Sequence, residues 1–544
     1  MPENSSKLKQ PSDSLLLMSV CMIAICAIVY ELVIATLSSY LLGNSIHQFS
    51  ITVGLFMSSM GFGSFLSKYF NRSLITRFIQ IEILIGLIGG ISTISLFMAY
   101  LAFESVEAYL IVMVISSITI GGMVGLEIPI LMRIIEQKDN LRVTVANVLA
   151  FDYGGSLIGS IAFPLILLKY TGIIQTNFIV ALLNILVAMV TLISYRSEVE
   201  RLLLWGSMLA LIGIGLFVAA YLSPQIEMWL EDQLYRDTII LSKQSPYQKI
   251  VLTKPATNSS EHQKAKIGEP RYLEPKPTKI SVKKRRNDVR LFIDGNLQFS
   301  SVDEYRYHEA LVHPAMSLAR NQKRILILGG GDGLALREVL KYQSVEHVTL
   351  IDIDPEITEL CATHPEIVSL NQGSLSDKRV KILNQDAYQY VEQLAFDRSY
   401  DVAIIDLPDP NYASLSKLYS VTFYVLLEKK LTDGGILVSQ STSPFFSRYA
   451  FWCIHHTMQK ANLHTYAYHV DVPSMGDWGF NLSAKSHLVI EDITLTVPTE
   501  FLTPTVAASM FQFGKDISPI NTKPNTLTRP ILQYYYHDQK WRHY

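Results

Sequence analysis

The chain has 544 residues, of which 49% are hydrophobic and 17% charged, with a formal net charge of −2. That length is too great for one domain, and the near-neutral charge gives no electrostatic footprint for a nucleic-acid partner. Four cysteines, Cys21, Cys26, Cys361 and Cys453, are too scattered to suggest a disulfide framework or a zinc site.

The apolar excess is concentrated in residues 1–222, which read as an integral membrane domain. Seven runs, near 15–37, 48–67, 77–102, 106–135, 144–168, 174–194 and 203–222, approach or exceed the roughly 20 helical residues that cross a bilayer core. The first is too long for a cleaved signal peptide and holds Glu31. Gly- and Ser-rich stretches such as Gly86-Leu-Ile-Gly-Gly90 let helices approach closely in lipid. Lys7 and Lys9, Lys68 with Arg72 and Arg77, Arg133 with Lys138 and Arg142, and Arg196 with Arg201 fall on one side, which places the N-terminus in the cytoplasm of a multi-pass cell-membrane protein. Seven crossings from there put the second half outside, so either one apolar run does not cross or the second half faces outward. Glu31, Glu82, Glu127 and Asp152 lie within the spans, where acids either bond between helices or line a polar path.

From residue 223 the texture changes to strands and polar loops. Residues 223–318 read as a small antiparallel β domain. Ser245-Pro-Tyr-Gln-Lys-Ile-Val-Leu-Thr253 is a predicted strand, and 289–299 a hairpin turning at Asp294-Gly295-Asn296. Between them, residues near 255–287 are rich in Pro, Lys and Arg and read as a disordered basic insertion, with anionic headgroups as a candidate partner.

Residues 319–544 alternate strand and helix: strands 323–328, 347–353, 379–384, 400–406 and 434–440, with helices 334–342, 355–363, 386–395 and 418–430 between. That rhythm predicts an α/β Rossmann-like, methyltransferase-type domain with a parallel sheet, whose ligands lie beyond the carboxyl ends of the strands. The first predicted strand runs into Gly329-Gly-Gly-Asp-Gly333, a turn whose glycines admit a close ligand, and the second ends on Asp352, placed to hold ribose hydroxyls. Asp332 sharpens this reading. It would repel the carboxylate of S-adenosylmethionine and attract the bare ammonium of the decarboxylated form. Asp386 and Asp406 also stand at or just past strand ends.

At this point the chain resembles the polyamine aminopropyltransferase (spermidine synthase) family. The likeness rests on Tyr247-Gln-Lys-Ile250, Leu297-Gln-Phe299, Asp303-Glu-Tyr-Arg-Tyr-His-Glu309, Gly329-Gly-Gly-Asp-Gly333, Ile351-Asp-Ile-Asp354, Gln385-Asp-Ala387, Asp406-Leu-Pro-Asp-Pro410, Leu418-Tyr-Ser420 and Gly476-Asp-Trp-Gly-Phe480, in family order over about 245–485. The helical half lies outside it. The resemblance implies transfer of an aminopropyl group from decarboxylated S-adenosylmethionine to putrescine, with no permanently bound cofactor. It assigns Asp406 as proton acceptor, and Asp409, Asp332, His308 and Tyr307 to the amine and aminopropyl groups. Gln248, Gly329, Gly331, Asp352, Asp386 and Ala387 take the adenosyl side. Tyr305 and Trp478 are further candidate pocket walls. A homodimer is a family expectation. Asn411-Tyr-Ala-Ser-Leu-Ser-Lys417 replaces the Gly-Pro-Ala-rich closing stretch of soluble members, which leaves agmatine, cadaverine or a longer polyamine as rival acceptors. Competing readings are a methyltransferase, which Asp332 and the paired acids oppose, and a membrane sensor or transporter of polyamines.

Overall fold

The computed structural model describes residues 13–42, 45–103, 106–136, 141–235, 237–255, 287–394 and 399–537. Apart from its end residues, the basic insertion expected near 255–287 lies outside them. The compact units part between Arg236 and Asp237.

The first unit is helical: α1 (Asp13–Leu42), α2 (Ser45–Leu66), α3 (Leu74–Phe103), α4 (Val106–Glu136), α5 (Leu141–Ala162), α6 (Leu168–Ser194) and α7 (Leu202–Leu234). Six apolar helical segments are long enough to cross a membrane, one of them the 54-residue stretch Leu141–Ser194. At ~1.5 Å per residue that stretch is far longer than a bilayer core of ~30 Å. It contains a π-helical turn, Phe163–Leu167, and breaks at Gly172, whose φ of 70° and ψ of −172° leave the helix, so the two runs expected at 144–168 and 174–194 are its arms. The last helix outlasts its expected end at residue 222, running through Pro224 to Leu234.

Small residues set the packing. A Cβ on Gly125 of α4 would collide with the Met60 carbonyl of α2, and one on Gly155 of α5 with the Cys21 carbonyl of α1. Prolines inside helices are compensated. Each removes one backbone donor and frees the carbonyl four residues back. Ser64 Oγ donates to the carbonyl of Gly125, below Pro129, at 2.8 Å. Gln175 Nε2 and Ser223 Oγ donate to that of Ala220, below Pro224, at 3.2 and 2.7 Å.

In the second unit β1 (Thr238–Gln244), β2 (Lys249–Lys254), β3 (Arg290–Ile293) and β4 (Asn296–Ser300) form an antiparallel sheet in that order. The hairpin turns at Asp294 and Gly295, both with positive φ (48° and 77°), as a type I′ turn requires. Two expectations need correction. Thr238–Gln244 is a strand that the sequence reading missed, and residues 245–248 form the turn before β2 instead of opening it.

Then follow α8 (Glu304–Leu318), β5 (Arg324–Gly329), α9 (Leu334–Leu340), β6 (His347–Asp352), α10 (Pro355–Thr363), α11 (Pro365–Asn371), β7 (Val380–Asn384), α12 (Ala387–Gln393) and β8 (Tyr400–Asp406). The chain continues through α13 (Ala413–Ser416), α14 (Val421–Lys430), β9 (Leu431–Gln440), α15 (Arg448–Lys460), β10 (His464–Val472), β11 (Gly476–Ala484), α16 (Pro504–Ser509) and α17 (Ile531–His537). The seven strands order as β10-β11-β9-β8-β5-β6-β7. The sheet is mixed where a parallel one was expected: β5 to β9 are parallel, but β11 joins β9 antiparallel and β10 joins β11 likewise. Apolar strand cores such as Ile325, Leu326, Ile327 and Leu328, all fully buried, require cover on both faces. Strand order reverses between β5 and β8, and such a switch point is where open α/β sheets bind ligands.

Candidate active site

The site is built at that switch point. Gly329, the last residue of β5, pairs with Asp406, the last of β8. A Cβ on Gly329 would run into the Asp406 carbonyl, so only glycine fits. The turn then passes Gly331, whose N–H donates to Asp352 Oδ2 at 3.1 Å and where a Cβ would stand 2.5 Å from that oxygen. Asp352 Oδ1 accepts from the N–H of Asp354 at 2.9 Å. Asp332 Oδ1 accepts from Leu334 N at 2.8 Å, at the start of α9. Glycine turn, Asp332, Asp352 and Asp406 therefore gather at one end of the sheet, where Asp332 acts on both other carboxyls.

Burial raises all three carboxyls. It lifts Asp352 to about 6 with help from Asp354, and Asp406 to about 6 with help from Asp332. Burial likewise pushes Asp332 up, against the pull of His308. At neutral pH Asp406 is a carboxylate near enough to its own titration to accept a proton. The Tyr307 hydroxyl donates to its Oδ1 at 2.6 Å. Tyr307 packs on Trp478 and Phe480, with ring centroids 6.3 and 5.3 Å away, which fixes it as one wall.

Asp409, three residues on, is also lifted to about 6 by burial. Its Oδ1 accepts from Gln440 Nε2 at 3.3 Å and its Oδ2 from the Tyr536 hydroxyl at 2.9 Å. Gln440 is held in turn by the Leu407 carbonyl at 2.6 Å and Tyr419 Oη at 2.7 Å. Neither Gln440 nor Tyr536 was singled out from the sequence. Gln440 ends a predicted strand, a signal of the kind that marked Asp406. Tyr536 sits 127 positions from its partner, and no local pattern points to it.

Beside these acids, in reach of Asp332 and Asp406 through His308, runs a buried ion-pair chain. His308 Nδ1 donates to Glu304 Oε2 at 2.8 Å, and Arg337 clasps Glu304 with two bonds of 2.7 and 3.0 Å. Arg337 Nε also reaches Glu338 at 2.8 Å, and Glu338 meets His313 at 3.0 Å. Burial disfavours the His308 cation, but Glu304, with Asp332 and Asp406 beyond, outweighs it and lifts the imidazole to about 9. His308 is thus a fixed cation bonded to Glu304. Glu304 was within a quoted motif, four residues before His308 on one helix face, yet it carried no assignment. Glu309 is structural: its carboxylate accepts from the N–H groups of Phe501 and Leu502 at 3.0 and 2.8 Å.

Asp386 caps α12, accepting from Tyr388 N at 2.8 Å and from Lys417 Nζ at 2.7 Å. Burial pushes it up, but Lys417 and the helix N–H groups prevail and hold it below the usual range. Ala387 follows, buried. Gln248 does not point free: its Nε2 donates to Asp354 Oδ2 at 2.9 Å, beside Ser245 Oγ at 2.7 Å on the same oxygen.

A mixed α/β sheet with carboxylates gathered at its switch point is an arrangement suited to a cationic ligand. Residues 304–493 match the Spermine/spermidine synthase domain. The chain is 40% identical to "Polyamine aminopropyltransferase 2" of Ralstonia nicotianae, over 97% of this chain and 98% of that protein. It is 37% identical to the "Polyamine aminopropyltransferase" of Oceanobacillus iheyensis, over 96% of each. A crystal structure of spermidine synthase with the transition-state analogue AdoDATO is 25% identical, with a TM-score of 0.42, over 51% of this chain and 85% of that one. The chain belongs to the polyamine aminopropyltransferase family and is an aminopropyl transferase. The likeness is not confined to 245–485, as the motifs alone suggested, but takes in the helical unit.

Proposed function

We propose that the enzyme makes spermidine, moving the aminopropyl group of decarboxylated S-adenosylmethionine onto putrescine and releasing methylthioadenosine. The observation that supports this reading is that Asp332, Asp406 and Asp409 stand at or past the carboxyl ends of neighbouring strands, each carboxyl held by a hydrogen bond. The leaving group is a sulfonium, already activated, so the protein's work is to align two cations and take one proton. Asp332 holds the aminopropyl ammonium, Asp352 the ribose, and Gln248, Gly329, Gly331, Asp386 and Ala387 shape the adenosyl side. Asp409 holds the far ammonium of the diamine, Tyr307 and His308 fix the pocket wall and its field, and Asp406 removes the proton from the attacking nitrogen.

The helical unit spans the cell membrane. Its apolar faces turn outward: Leu203 is 88%, Leu211 73% and Phe217 66% exposed along α7, which suits lipid. Asp406→Asn tests the chemistry. Turnover falls by about 10²–10⁴-fold, as for loss of a general base, while methylthioadenosine still binds. Near-native turnover removes Asp406 from this role.

A further inference from the structure

Of the four acids buried among the described residues of the helical unit, two have no exposed surface at all. Glu82 of α3 and Glu127 of α4 are both fully buried, and among the described residues of this unit no Lys, Arg or His is buried. Glu82 lies within interaction range of Glu127 and of Asn184 on α6. No Lys, Arg or His donor reaches the four carboxyl oxygens; the two carboxyl groups meet each other and Asn184 meets Glu82, while Asn184 Oδ1 and the Tyr30 hydroxyl have no hydrogen-bond partner. Tyr30 and Cys26, both on α1 and buried, are the other titratable groups facing the pair. Four helices thus converge on one acidic cluster. Counted along the helices, Glu82 is about 12 Å from the start of α3 and Glu127 about 14 Å from the end of α4. Both ends adjoin the basic loops, so the two acids share one depth within the span.

Acids inside a span are expensive, and they persist where they pair with one another or mark the path of a substrate or ion. The donor set indicates which cation. A primary ammonium has three N–H donors, and Glu82, Glu127 and Asn184 Oδ1 supply three acceptors. The Tyr30 ring adds a face for an alkylammonium. Among the described residues no group of three or more His, Cys, Asp or Glu side chains assembles as a metal site.

We propose that Glu82, Glu127 and Asn184 form an intramembrane binding site for a primary alkylammonium group. The site is closed in this structure. Without amine the two carboxyl groups share one proton; entry of the ammonium releases that proton to solvent, leaving two carboxylates around one cation. The inference rests on the membrane reading of this unit and is independent of the acceptor used by the catalytic unit.

The test is equilibrium binding of radiolabelled spermidine to the detergent-purified full chain carrying Asp332→Asn, Asp406→Asn and Asp409→Asn, which removes the catalytic acids. A single spermidine per chain still binds and releases a proton in weakly buffered solution. Adding Glu82→Gln or Glu127→Gln weakens it by roughly 30-fold or more. No binding to the acid-cleared chain overturns the proposal, as does binding that survives both glutamine variants. Should those variants aggregate, proton release by the acid-cleared chain decides: binding without it contradicts the proposal. Failure of the catalytic reading shows separately, as absent turnover by the unsubstituted chain.

Discussion

The two units bury acids in opposite ways. In the catalytic unit Glu304 and Glu338 are enclosed but answered by Arg337, His308 and Lys341. Asp332, Asp352, Asp406 and Asp409, at strand ends, are only partly answered and keep some surface open. In the helical unit Glu82 and Glu127 are enclosed and answered by no cation at all. The difference separates two uses of a carboxylate. Fully paired acids fix geometry, and under-paired ones await a cationic ligand.

The comparison breaks first if the paired acids prove dispensable. Arg337→Leu leaves Glu304 with His308 alone and Glu338 with Lys341 and His313, and removing one partner of a buried pair costs about 3–5 kcal/mol. Denaturant unfolding of the solubilised chain measures it, and a loss within error of zero contradicts the structural role. Tyr536→Phe is milder. It removes the donor on Asp409 Oδ2, so KM for the diamine rises about 3–10-fold while KM for decarboxylated S-adenosylmethionine stays put. Equal changes in both would place Tyr536 in general packing.

Two pH effects sharpen the contrast further. With Asp406 lifted to about 6, kcat/KM falls as pH drops through that value and the base becomes protonated. His308 runs the other way. Its folded value of about 9 lies above the ordinary histidine value of about 6.5. The stability it contributes is fully present below about 6.5 and is lost as pH rises through about 9. Unfolding midpoints of the chain and of His308→Gln, compared from pH 6 to about 9.5, should converge at the alkaline end.

Much of the catalytic unit was legible because local signals agreed. Strand 400–406 and helix 355–363 fall where alternation, Pro355 and Asp354 as cap put them. The Asp-Gly turn fixed the hairpin, and strand-end acids marked the carboxyl end of the sheet where they gather. What escaped was non-local. β10 and β11 follow the last predicted element, and β11 pairs antiparallel with β9, outside the alternating rhythm that gave the rest. Gln440 and Tyr536 are defined only by the acid they meet across the fold. The unanswered state of Glu82 and Glu127 became visible only once burial was known, because a sequence shows that an acid lies in a span but not what faces it.

The most direct measurement is mass spectrometry of the detergent-purified full chain incubated with an amine panel and either decarboxylated or intact S-adenosylmethionine. The account predicts methylthioadenosine and spermidine from putrescine with the decarboxylated donor, and no transfer from the intact one. Methylated products from the intact donor, or no product beside an active soluble synthase, would contradict it.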